Sequence, residues 1–232
     1  MRLLYDFEDK VVMETNTDGG RIESLTDNGR AILYPETRLS LEGQEKIRGG
    51  SHVCLPNFGL DTTFGLDNHG FGRDKRWDVV SKSPSYSTMV LMGEGDYERV
   101  RFLLSYEIGE NNLRMNLVVR NEGDTNVPLA PGFHPYFPTK DRFVKIYGKE
   151  VGADELMATR FYDGDAIEFE TKERKFRFET KNANRFAIWS DSDDYVCVEP
   201  TYNGPSFTDI VEKPYDLESG EEFKMDAILE WK

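Results

Sequence analysis

The sequence predicts an all-β protein, a single antiparallel β-sandwich of many strands formed by residues 1–232. Three observations carry this expectation. Apolar residues recur with period two, turn-forming clusters punctuate the whole length, and stretches with helical periodicity are almost absent.

Taken in order, the early clusters "TNTDGG" and "TDNG" separate short strand-like segments. Thr37 to Glu45 is the best helical candidate, and it is short. In "ERVRFLLSYEIG" the residues Val100, Phe102, Leu104, Tyr106 and Ile108 share one face. After a turn at Gly109 to Asn112, "LRMNLVVR" repeats the pattern with Leu113, Met115, Leu117 and Val119, which describes a hairpin with one buried face. "KFRFETK" alternates in the same way, and "FKMDAILEW" places Phe223, Met225, Ala227, Leu229 and Trp231 on one side. No Gly/Ser-rich linker or fixed-period repeat divides the chain. The acidic cluster Asp191, Asp193 and Asp194 reads as a solvated turn, because the glycine and distal glutamate of a calcium loop are missing.

Composition narrows the function. Aromatic residues make up 12% of the 232 positions, which argues for a packed core despite 31% charged residues. A net charge of −14 disfavours nucleic acid and anionic membranes as partners, since both require a basic surface. A local basic pocket for a small anion remains compatible with it. The start "MRLLYDFEDK" reaches acidic residues by position six without an apolar run, unlike a signal peptide, and no apolar run is long enough for a membrane span. A cytoplasmic protein with Cys54 and Cys197 as buried thiols is expected.

Four polar blocks interrupt the strand pattern: "KIRGGSHVCLPNFG", "NHGFGRDKRW", "GFHPYF" and "YVCVEPTYNGP". In the last, alternation puts Tyr195, Cys197 and Glu199 on one strand face, and Pro200 favours an extended backbone at Glu199. A carboxylate at the end of a half-buried strand suits a general base. His134 stands between Gly132 and Pro135, with Tyr136 and Phe137 following. That stiff setting suits an imidazole aimed at one atom near neutral pH. His69 lies among Gly70 and Gly72 beside Phe71, Arg73 and Trp77, where glycines permit close approach and aromatic faces offer platforms for sugar rings. Arg48 could clamp hydroxyls or a phosphate. No metal is expected, because His52, His69, His134 and Glu199 are scattered and no HxH or HExxH pair anchors a site. Both cysteines sit in apolar, strand-like surroundings, unsuited to a nucleophile.

Taken in order, these blocks resemble the aldose 1-epimerase (galactose mutarotase-like) family, and within it the hexose-6-phosphate mutarotase branch. "IRGGSHVCLPNFG" is similar to that branch's IRGG-x-x-x-C-x-P-x-F-G block, "HGFGRDKRW" to its HGFxR…W block, "GFHPYF" to its G-x-H-x-Y-F block, and "VEP" to its late glutamate strand. "AILYPET" is similar to its early strand. The resemblance implies a large antiparallel β-sandwich, the galactose mutarotase-like supersandwich, and interconversion of the α and β anomers of a hexose or hexose 6-phosphate. Glu199 would take the proton from the anomeric hydroxyl while His134 protonates the ring oxygen. His69 would hydrogen-bond near that oxygen, with Arg48, Arg73, Tyr136 and Trp77 lining the sugar site. The family's hydroxyl-binding aspartate has Asp154 as its nearest candidate. No cofactor is implied, and the expected assembly is a monomer or homodimer. Two departures stand out: the chain is shorter than typical members, and "SHVCLPN" carries His52 and Asn57 at altered positions. A non-catalytic sugar-binding protein on the same fold is the alternative.

Overall fold

Alternating side chains commit each strand to burying one face, and two sheets meet on those faces. The computed structural model describes residues 1–41, 44–59, 66–204 and 213–232. Among these, two nine-stranded sheets account for most strands, with two further two-stranded pairs. All recorded ladders between strands are antiparallel.

The first sheet runs Arg2–Phe7, Val11–Asn16, Arg21–Asp27, Ser51–Cys54, Gly132–Pro138, Tyr195–Thr201, Arg185–Trp189 and Arg160–Asp163, with Arg30–Ala31 added beside Arg21–Asp27. The second contains the hairpin Val100–Gly109 and Asn112–Asn121, flanked by Tyr86–Met92 on one side and Glu222–Trp231 on the other. Gly109 pairs with Asn112, leaving Glu110 and Asn111 as the turn. The five residues expected inward on Val100–Gly109, like those on its partner strands, are all buried.

One apolar cluster joins the sheets, drawing Tyr5, Ile22, Val53, Phe133, Phe137, Phe186, Val196 and Val198 from the first and Leu104, Met115, Phe169, Phe178 and Leu229 from the second. Phe137 packs against Phe169 and Phe176 across the interface, with ring centroids 4.8 and 4.9 Å away. Buried polar atoms are paired between layers: Tyr5 Oη donates to Ser87 Oγ at 2.7 Å, Tyr106 Oη to the Gly20 carbonyl at 2.7 Å, and Trp231 Nε1 to Asp27 at 3.1 Å.

The expected helix over Thr37 to Glu45 is instead a strand pair, Thr37–Leu41 with Gln44–Arg48. A nine-residue helix is marginal alone, and alternation of Leu39 and Leu41 with polar neighbours suits the extended form better. The α-helix among the described residues is Ala153–Met157.

Candidate active site

Burying one face of the central strands leaves the other to build a site. On Tyr195–Thr201, Val196 and Val198 enter the core, so Tyr195, Cys197 and Glu199 face outward. On Gly132–Pro138, Phe133 and Phe137 point in while His134 and Tyr136 point out. On Ser51–Cys54, Val53 points in, which sends His52 outward directly opposite His134. Three neighbouring strands thus deliver Glu199, His134 and His52 to one spot.

Loops roof this face and enclose a cavity of about 820 Å³, whose lining includes Arg48, His52, His69, His134, Trp189 and Glu199. The sequence "GG" makes the approach possible. Gly49 and Gly50 adopt φ of +95° and +64°, and a Cβ on Gly50 would sit 1.9 Å from the Ile22 carbonyl oxygen.

At the cavity floor His134 Nε2 lies 3.4 Å from Glu199 Oε2. The imidazole is clasped between His52, stacked at 4.7 Å, and Tyr136, stacked at 4.8 Å, with His69 edge-on at 5.1 Å. Burial pushes the Glu199 carboxyl well above the usual carboxylate range. Burial likewise pushes His134 and His52 well below the usual histidine range, aided by neighbouring cationic or titratable groups. Burial thus disfavours the charged form of each group, carboxylate and imidazolium alike, across a gap of 3.4 Å.

His69 has φ of +69°, and its Nδ1 is 2.6 Å from the Phe58 carbonyl oxygen. A carbonyl only accepts, so Nδ1 carries the hydrogen. Burial and then Arg73 push its pKa down to about 4, which leaves Nε2 as a bare acceptor.

Arg48 donates through Nε and Nη2 to Asp191 at 3.3 and 2.9 Å, and its guanidinium lies 5.5 Å from the centre of the Trp189 ring. Burial alone would raise the Asp191 carboxyl; hydrogen bonds from Arg48 and Tyr195 hold it below the usual range instead. Asp191 is thus an anchor for Arg48 and not the solvated turn residue the sequence suggested. Asp193 does lie outside, paired with Arg142.

Two expected sugar contacts are corrected. Trp77 is 1% exposed within the core and donates to the Gly72 carbonyl at 2.9 Å, so it braces the loop from below and does not line the cavity. Asp154 sits exposed on the Ala153–Met157 helix, away from the lining. Arg73 and Tyr136 do line it. Sequence reasoning passed over Trp189, Phe58, Phe161 and Arg21 as lining residues. For Trp189 the signal was present: in "RFAIW", Phe186 and Ile188 are inward, so Trp189 shares the outward face with Ala187.

An aldose 1-epimerase family model matches residues 3–220. The chain belongs to the aldose 1-epimerase family. A curated protein from Cenchrus ciliaris named "Putative glucose-6-phosphate 1-epimerase" is 26% identical over 263 residues, covering 89% of this chain and 77% of that protein. A galactose mutarotase-like protein from Lactobacillus casei superposes with a TM-score of 0.83 at 14% identity, covering 100% of both chains. A galactose mutarotase related enzyme from Lactobacillus acidophilus gives 0.78 at 17% identity, covering 100% of this chain and 97% of the other. The epimerase family fixes the reaction class: the protein is an isomerase acting on the anomeric carbon of a sugar, and the binding-protein alternative is not favoured. No helix among the described residues is long and apolar enough to cross a membrane.

Proposed function

We propose that the chain, acting as one domain in the cytoplasm, interconverts the α and β anomers of a hexose 6-phosphate, with Glu199 and His134 as its base and acid. The observation that carries this reading is the 3.4 Å approach of His134 Nε2 to Glu199 Oε2 on the cavity floor. The two oxygens that exchange a proton in mutarotation are attached to one carbon. A base for one and an acid for the other must therefore converge on nearly one place, as this pair does.

Glu199 in its ionised form takes the hydrogen of the anomeric hydroxyl while the protonated His134 gives its own to the ring oxygen. The ring opens to the aldehyde, which turns about C1–C2. Closure on the other face reverses both transfers and returns the pair to its starting state. A single proton resident on the pair suffices for both directions, and since burial disfavours the charged form of each group, the ionised pair is the reactive form and the neutral pair the resting one. His69 cannot donate to the ring oxygen, because its only hydrogen is committed to Phe58. Its free Nε2 accepts from a sugar hydroxyl instead. Arg48, held by Asp191 and Trp189, presents a fixed guanidinium to other hydroxyls.

The phosphate is argued from charge. In a chain of net −14, the lining brings together Arg21, Lys46, Arg48 and Arg73 against Glu45, Asp74 and Glu199. Arg21, Arg48 and Arg73 have carboxylate partners, whereas Lys46 has no recorded ion pair among the described residues. Lys46 is the cation left for the anionic end of a substrate. The buried, unpaired thiols of Cys54 and Cys197 support a reducing compartment.

Relaxation of α-anomers followed by NMR tests the reading, using glucose and glucose 6-phosphate. The protein should accelerate the phosphorylated sugar more, Glu199→Gln should lose at least about 10²-fold in rate, and Lys46→Ala should raise KM for the phosphate ester alone. Full activity in Glu199→Gln would overturn the mechanism, and an unchanged KM in Lys46→Ala would overturn the phosphate assignment.

A further inference from the structure

Cys197 and Glu199 are two residues apart on one strand and share its outward face. The adjoining strand sets Tyr136 opposite Cys197, which brings His134 alongside. One ligand atom each from His134, Cys197 and Glu199 lie within 4.8 Å of one another. His52 stacks on His134, and its buried Nε2 has no hydrogen-bond partner among the described residues. Anomer interconversion employs neither the Cys197 thiol nor that nitrogen.

Imidazole nitrogen, thiolate sulfur and carboxylate oxygen are all zinc ligands, at about 2.0–2.3 Å from the ion. Tetrahedral ligands at such bond lengths stand roughly 3.3–3.7 Å from each other. The His134–Glu199 edge of 3.4 Å already fits, and the remaining edges are no longer than 4.8 Å. His134 and Glu199 line the cavity while Cys197 is buried beside them, so the fourth position falls on the cavity side and is left to water. Absence of an HxH or HExxH spacing did not reveal this set, because its ligands are a Cys-x-Glu pair and a histidine supplied across a strand ladder.

We propose that His134, Cys197 and Glu199 form a Zn²⁺ site, and that a bound ion inhibits the isomerase competitively by occupying its acid and its base. On binding, the Cys197 thiol and the Glu199 carboxyl each release one proton and neutral His134 donates its lone pair. Two anionic ligands then balance the ion's two charges, and the affinity rises with pH. The site extends beyond the sugar reaction: metal binding does not require turnover.

Cobalt replaces zinc as a visible probe, titrated into metal-free protein. One equivalent should bind with a thiolate-to-metal charge-transfer band and should be displaced by Zn²⁺ and by glucose 6-phosphate. Zinc should raise the apparent KM without lowering kcat. Cys197→Ser should keep mutarotation, lose the charge-transfer band and weaken binding by at least about tenfold. Cobalt bound without that band in the unsubstituted protein, equal affinity in Cys197→Ser, or stoichiometric zinc with undiminished turnover would each overturn the proposal. Metal-free protein without turnover but with the band intact would overturn the assigned reaction and uphold the metal site.

Discussion

The ring of His134 is held from both faces, by His52 and by Tyr136, while its edge meets Glu199. Such clasping fixes direction and excludes water, and the exclusion has a cost at Glu199. In an unfolded chain this carboxyl ionises near pH ~4.3, whereas burial raises the folded value well above that. Between the two values the folded state binds more protons than the unfolded state. The stabilisation from holding the proton is therefore complete below pH ~4.3 and is lost as pH rises through the folded value. Glu199→Gln, which cannot ionise, should be more stable than the unsubstituted protein at pH 7 by roughly 0.5–2 kcal/mol. The difference should shrink toward zero near pH 4. Urea unfolding of both proteins at the two pH values measures this, and a gain independent of pH would show that ionisation is not its source. At this scale the placing of Glu199, His134, His69 and Arg48 together at one cavity was legible in the sequence, because each sits beside a proline, glycine or aromatic that marks it. The Asp191 anchor and the His52 clasp could not. They arise from partners 143 residues apart in one case and from strand register in the other.

The strand Ser51–Cys54 depends on the two glycines before it. A Cβ on Gly50 would meet the Ile22 carbonyl oxygen at 1.9 Å, a backbone atom with no rotamer to yield, at a φ of +64°. Gly50→Ala should cost more than about 2 kcal/mol, from the strained backbone and the overlap together. It should also reduce turnover by shifting His52 against His134, and thermal unfolding with a rate assay reads both. A variant of unchanged stability would show that the chain relaxes here without consequence. Period two made the long strands legible, since Val100–Gly109 and Glu222–Trp231 bury one face cleanly. It failed for Thr37 to Glu45, where a short run offers too few residues to separate one period from another. Trp77, expected at the sugar from its glycine-rich loop and the family resemblance, lies in the core instead, because proximity to glycines in sequence does not reveal which side of a loop faces inward.

Across the whole molecule the site is divided between two kinds of support. Glu199, His134 and His52 hang from adjacent inner strands of a nine-stranded sheet, whose opposite face is locked into the shared core. Lys46 belongs to the two-stranded pair Thr37–Leu41 and Gln44–Arg48, outside both large sheets. A lone two-stranded ribbon is marginal by itself. The amides of the His134 and Glu199 strands should therefore exchange with deuterium only through global unfolding, while those of Gln44–Arg48 should exchange through local opening at far lower free energy. Mass spectrometry of peptic fragments distinguishes the two, and equal protection would contradict the division. Mild denaturant should then blur the preference for one sugar over another before it slows the isomerisation itself. With Lys46 and the Glu199–His134 pair in their proposed roles, selectivity and chemical competence should then be separately adjustable by mutation.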